Sequence, residues 1–140
     1  MKKAVTVALS LMLCFVCVAS LVSCDGGIKG DEAKALINEF FAAITAEDYE
    51  KAASLLHPER PADLKTFFSG IEESKGVDFQ AGIEIEKYTG VSLSYYDSTV
   101  GGSTYELTMR TRIGEKKVTF TVEVVKNDAG YGIYNLNLDL

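Results

Sequence analysis

AKALINEFFAAITAEDYEKAASLLHPE, Ala33 to Glu59, decides how the folded part of this chain is read. Ala33, Leu36, Ile37, Phe40, Phe41 and Ile44 recur at spacings of three and four. That period places them on one side of an α-helix. Asp31, two residues upstream, has the short carboxylate that an N-cap needs to accept from unpaired first-turn amides. A second helix is expected from about Glu47-Asp48, with Tyr49, Ala52, Ala53 and Leu56 on one face and Pro58 as its stop. Pro61 then suits the first turn of a third helix, because its missing N–H would be unpaired there anyway. That helix would turn Leu64, Phe67, Phe68 and Ile71 inward, and Gly70 weakens its end.

Beyond Glu73-Ser74-Lys75-Gly76 the period falls to two. Ile83 and Ile85 alternate with Glu84 and Glu86, and Val91, Leu93 and Tyr95 alternate with Ser92, Ser94 and Tyr96. Tyr105, Leu107, Met109, Thr111 and Ile113 form the next stripe, opposite Glu106, Thr108, Arg110 and Arg112. Val118, Phe120, Val122 and Val124 follow. Tyr131, Ile133, Tyr134, Leu136 and Leu138 close the chain, with a slip of parity that implies a bulge. Gly or Asn-Asp turn residues separate the runs at 98–102, 113–116 and 127–130, and links this short join antiparallel neighbours. The fold class is therefore α+β: three N-terminal helices packed on one face of an antiparallel meander of four to five strands.

The order of elements, the Ala33 to Glu59 opening and the closing GYGIYNLNL resemble the NTF2-like superfamily, in which helices pack against a strongly curved sheet to form a cone. A cystatin-like fold, with one long helix and a sheet, accounts for the first helix but leaves two over. The resemblance implies a domain over residues 31–140 that serves as an isomerase, a dehydratase, a small-molecule binder or a protein-binding module, since fold does not fix function. The steroid isomerases of that superfamily use a pocket Asp as base, with a Tyr and a protonated Asp as oxyanion donors. No such set aligns here: Asp78 and Asp97 fall at loop-like positions and Asp48 at a helix start.

The N-terminus explains the cysteines. Met1-Lys2-Lys3 is followed by no charged residue until Asp25, a basic start and an apolar run as in an export signal. A transmembrane helix of roughly 20 residues would have a similar length. Leu21-Val22-Ser23-Cys24 resembles the lipobox of bacterial lipoproteins, which implies cleavage before Cys24 and acylation of that cysteine. The expected division is a signal peptide at 1–23, the lipidated Cys24 with a short Gly-rich tether to residue 30, and the domain. Acyl chains, palmitate among them, would then attach the protein to the cell membrane lipid on the extracytoplasmic side, as transfer of each methylene from water contributes about 0.8 kcal/mol. Cys14 and Cys17 leave with the signal, so their C-x-x-C spacing carries no redox or metal meaning.

Composition bounds the partners. The full chain carries 14 basic and 20 acidic residues; loss of Lys2 and Lys3 gives 12 − 20 = −8. An acidic domain lacks the basic patch that nucleic acid requires. The single histidine, His57, cannot build a zinc site without further ligands, and no cofactor is expected. Candidate ligand-binding residues are Tyr95, Tyr96 and Tyr134, which offer apolar bodies with polar tips, and Arg110 and Arg112, able to clamp a carboxylate. The expected role is non-catalytic binding of a protein partner or a small apolar ligand, with a homodimer through the sheet as a further outcome. The alternative is an envelope enzyme of isomerase or hydrolase type that works through a pocket carboxylate and tyrosines.

Overall fold

The computed structural model describes residues 27–140; the segments expected to be a signal peptide, a lipidated Cys24 and the start of a tether lie outside the described residues. Three helices precede four strands: α1 (Gly30–Thr45), α2 (Tyr49–Ser54), α3 (Leu64–Lys75), a 3-10 turn (Phe79–Ala81), β1 (Glu84–Asp97), β2 (Gly102–Ile113), β3 (Lys116–Asn127) and β4 (Gly130–Asp139). The strands form one antiparallel sheet in the order β1-β2-β3-β4. The α+β class and the helices-before-sheet order are those expected.

The helices differ from expectation at their ends. Helix α1 begins at Gly30 with Lys29 as N-cap and no side-chain cap, so Asp31 lies inside the first turn. There its carboxylate, with that of Glu32, meets the positive end of the helix dipole. Ile28, within the stretch expected to be tether, is buried against the core. Helix α2 starts as expected, the Asp48 carboxylate accepting from Lys51 N–H at 3.1 Å. It stops at Ser54, short of Pro58, because the next residues leave to pair with β4. Helix α3 is opened by Asp63, not Pro61. The Asp63 carboxylate accepts from Thr66 N–H at 3.1 Å and from the Thr66 hydroxyl at 2.7 Å, and these bonds hold it below the usual carboxylate range. Gly76, at φ 64°, ends α3 in the left-handed conformation that a side chain would resist.

The core lies between α1, α3 and the sheet. Phe41 of α1 meets Phe120 of β3 at a centroid distance of 4.8 Å, and Phe68 bridges Phe40 at 6.2 Å and Phe79 at 4.9 Å. Leu107, Met109, Thr111 and Ile113 of β2 and Val118, Phe120, Val122 and Val124 of β3 are all buried on this face. Thr111 is tolerated there because its hydroxyl donates to Val118 O at 2.9 Å. The opposite face carries the cross-strand pairs Glu106–Glu123, Thr108–Thr121, Arg110–Thr119 and Arg112–Lys117.

Two features bend the sheet. Strand β1 runs unbroken from Glu84 to Asp97, with register shifts at Ile85/Lys87, Tyr88/Gly90 and Ser94/Asp97. Each inserts one residue, so Ile85, Tyr88, Val91 and Leu93, opposite Thr111, Met109, Leu107 and Tyr105, all keep to the helix side. In β4, Val124 opposes Ile133 and Glu123 opposes Asn135, which leaves Tyr134 as the extra residue that the parity slip implied. The lower strand number holds; in place of a fifth strand, Leu56 makes a single parallel bridge to Ile133.

Candidate functional site

The stretch from Leu55 to Asp63, between α2 and α3, holds both prolines of the chain, Pro58 and Pro61, and so can neither continue a helix nor complete a ladder. It crosses the free edge of β4. His57 N–H donates to Ile133 O at 2.8 Å, and Ile133 N–H donates to Leu55 O at 2.9 Å. Gly132 makes this crossing possible, since a Cβ there would lie 2.5 Å from His57 N and 2.6 Å from Leu56 C.

His57 is 1% exposed and fully matched. Its Nδ1 accepts from Glu59 N–H at 3.1 Å, so Nε2 carries the proton and donates to Asn127 Oδ1 at 2.9 Å, with Gly130 O at 3.2 Å. Asn127 Nδ2 in turn donates to Glu59 Oε2 at 2.9 Å and Val100 O at 2.8 Å. One histidine thus ties the α2–α3 connector to the β3–β4 turn, and Asn127 extends the tie to the β1–β2 turn. The arrangement is a latch: both imidazole nitrogens are used within the protein.

Next to the latch a cleft of about 240 Å³ opens between the connector and β4. Leu56, Pro61, Leu64, Phe67 and Leu136 give it apolar walls, and Arg60, Tyr134 and Asn135 its polar rim. The Arg60 guanidinium lies 4.6 Å from the centre of the Tyr134 ring and donates to Asn135 Oδ1 at 3.0 Å. Tyr134 meets His57 edge-on at 5.3 Å. The bulge therefore has a local effect: it turns Tyr134 toward the cleft while Ile133 stays in the core. Phe67, expected to face inward, is 42% exposed and forms part of the wall.

Of the ligand-binding candidates named from the sequence, Tyr134 alone reaches the cleft. Tyr95 and Tyr96 stand at the far end of β1, 78% and 70% exposed. Arg110 and Arg112 lie on the outward face of β2, where Arg112 pairs with Glu86 at 2.7 Å. The structure does not bring these five together. Arg60 and Asn135 were not foreseen, and Phe67 only as a core residue; the two prolines flanking Arg60 were the available signal, as they mark a stiff, non-helical segment between two helices.

No Asp or Glu lines the cleft, and among the described residues the buried polar side chains are His57, Ser103 and Thr111. No group of three or more potential metal ligands occurs among the described residues. The Tyr131 hydroxyl is buried without a hydrogen-bond partner among them; burial, aided by the Glu32 carboxylate, pushes its phenol up to about 12. Compared with protein-family models, with curated proteins and with solved structures, the chain finds no match. No described helix is long and apolar enough to cross a membrane.

Proposed function

We propose that this chain is a bacterial lipoprotein, anchored through acylated Cys24 on the extracytoplasmic side of the cell membrane. Its NTF2-like domain binds a ligand without transforming it. The observation that carries the binding role is the composition of the cleft beside the latch: apolar walls, one stacked arginine and no carboxylate. Enzymes of the isomerase type need a pocket acid or base poised near the working pH, and the walls supply none. At about 240 Å³ the cleft is smaller than the usual drug-sized site. It suits a small apolar molecule, or one apolar side chain of a partner protein, with a polar or anionic end held by Arg60. A guanidinium has five N–H donors, so the bond to Asn135 leaves others for such an end. Curvature from the bulges in β1 and β4 supports an NTF2-like cone, though its interior is filled by Phe40, Phe41, Phe68 and Phe120, and the cleft lies at the sheet edge instead.

Two measurements test this reading. Cys24→Ala should abolish metabolic labelling with palmitate and leave the precursor uncleaved; labelling that survives overturns the anchor. Anilinonaphthalene sulfonate, an apolar dye with one anionic end, should bind the folded protein. The Arg60→Ala, Phe67→Glu double variant should weaken it about tenfold, or ~1.4 kcal/mol, with the urea transition preserved. Unchanged binding removes the cleft from consideration.

A further inference from the structure

We infer that the exposed β1 side of the turn end of the β1–β2 hairpin is a bilayer-docking surface that seats the domain in the headgroup region beside Cys24, an inference that rests on the lipid-anchor reading. Six large apolar side chains are exposed among the described residues, and four of them fall within one short stretch: Val91 at 61%, Leu93 at 44%, Tyr95 at 78% and Tyr96 at 70%. Such clustering marks a contact surface, whereas scattered exposed apolar residues need no explanation. Val91 and Leu93 point to the helix side, opposite buried Leu107 and half-buried Tyr105, yet both remain exposed.

The course of the chain says what covers this surface. A Cβ built on Gly27 would sit 3.6 Å from Tyr95 Cδ1, so the polypeptide leaves the domain at this tip. Ile28, buried in the core, and Gly30, where a Cβ would lie 2.7 Å from the Tyr105 hydroxyl, fix that exit. Cys24 is three residues further back, and three peptide steps of 3.8 Å span at most about 11 Å. Acyl chains on Cys24 reside in the hydrocarbon, which places the cysteine at the glycerol level. Each interfacial layer of a bilayer is roughly 5–8 Å thick. A tether this short cannot hold the tip clear of the membrane; Tyr95 and Tyr96 fall at or just above the headgroups. Tyrosine is enriched at that depth because its ring is apolar and its tip wet, and Val91 and Leu93 supply the apolar area beside it.

A bilayer fits better than a second copy of the chain. A mature charge of −8 (12 − 20) makes two copies repel, and it also denies attraction to anionic lipid. Docking therefore rests on apolar and aromatic burial and needs no anionic headgroup. The β1–β2 turn and the latch share one end of the sheet, since Val100 O accepts from Asn127 Nδ2, while the cleft itself lies along the opposite edge strand, β4.

The chain contains no tryptophan, so a single substitution provides a clean reporter. Full-length Tyr96→Trp protein, acylated in a bacterial host, is placed in phosphatidylcholine vesicles with brominated acyl chains. Glu115→Trp is the control, in the exposed β2–β3 turn some 40 Å along β2 from the tip. The Tyr96→Trp emission should be quenched at least about threefold more than the control, and equally with or without anionic lipid. Equal quenching in protein that carries palmitate on Cys24 overturns the docking surface and leaves the anchor standing. Absence of palmitate overturns both. An indole shielded without bromine quenching, in protein that cross-links as a dimer, assigns the surface to a second copy and overturns the proposal.

Discussion

The two edges of the sheet carry similar sequence and meet different fates. At β4 the edge is crossed by the connector, fastened by Leu56, His57 and Asn127, and Ile133 is 1% exposed. At the end of β1, Val91 and Leu93 alternate as regularly as Val122 and Val124 of β3, yet they stand in solvent. Alternation reports which way a side chain points; it does not report whether anything lies above it. A covered edge therefore reports an internal constraint, and the uncovered apolar stretch of β1 is the one for which an outside partner is proposed.

The sharpest break of this contrast is a pair of truncations. Phe120→Ala, in the aromatic core against Phe41, should cost about 3–5 kcal/mol in urea unfolding. Leu93→Ala should cost less than about 1 kcal/mol, in line with an exposed position. Equal losses would mean that the end of β1 is as integrated as the centre of β3. A second, smaller effect tests the covered edge. Gly132→Ala puts a methyl against the His57 and Leu56 backbone and should cost about 1–3 kcal/mol. Hydrogen exchange should quicken at the His57 and Ile133 amides more than in β2; uniform loss of protection would deny the connector its local role.

The smallest effect is at Tyr131. Its hydroxyl lacks a partner among the described residues, so Tyr131→Phe should leave stability at neutral pH unchanged or slightly raised. Burial raises the folded-state phenol from 10.0 to about 12. The neutral form is thus favoured by folding: its contribution is whole below pH 10 and is lost as pH rises toward 12. Thermal midpoints followed across that window should fall less steeply in Tyr131→Phe than in the parent.

Strands β2 and β3 were legible in the sequence because strict alternation continues up to tight turns on either side. Strand β1 was not, since two inserted residues hide one continuous strand behind what read as two apolar stripes. Helix starts were legible where a carboxylate caps, as at Asp48, and misread where Pro61 stood two residues ahead of a better cap, Asp63. Tyr134 was identified as a ligand candidate by type and reaches the cleft through its bulge. Arg60 depends on a crossing between segments far apart in sequence, which no local pattern encodes. The same holds for His57, whose partner Asn127 lies 70 residues downstream.

That separation bears on how the chain is made. All three helices are finished before Asn127 is added, so during synthesis the connector holds an imidazole whose buried acceptor does not yet exist. A polypeptide broken off before Asn127 would also lack β4 and leave β3 as a bare edge, open to pairing with other chains. Incomplete copies are therefore expected to stay loose around the connector and to be cut there first by proteases. The latch is thus a check that Asn127 and the strand after it have arrived.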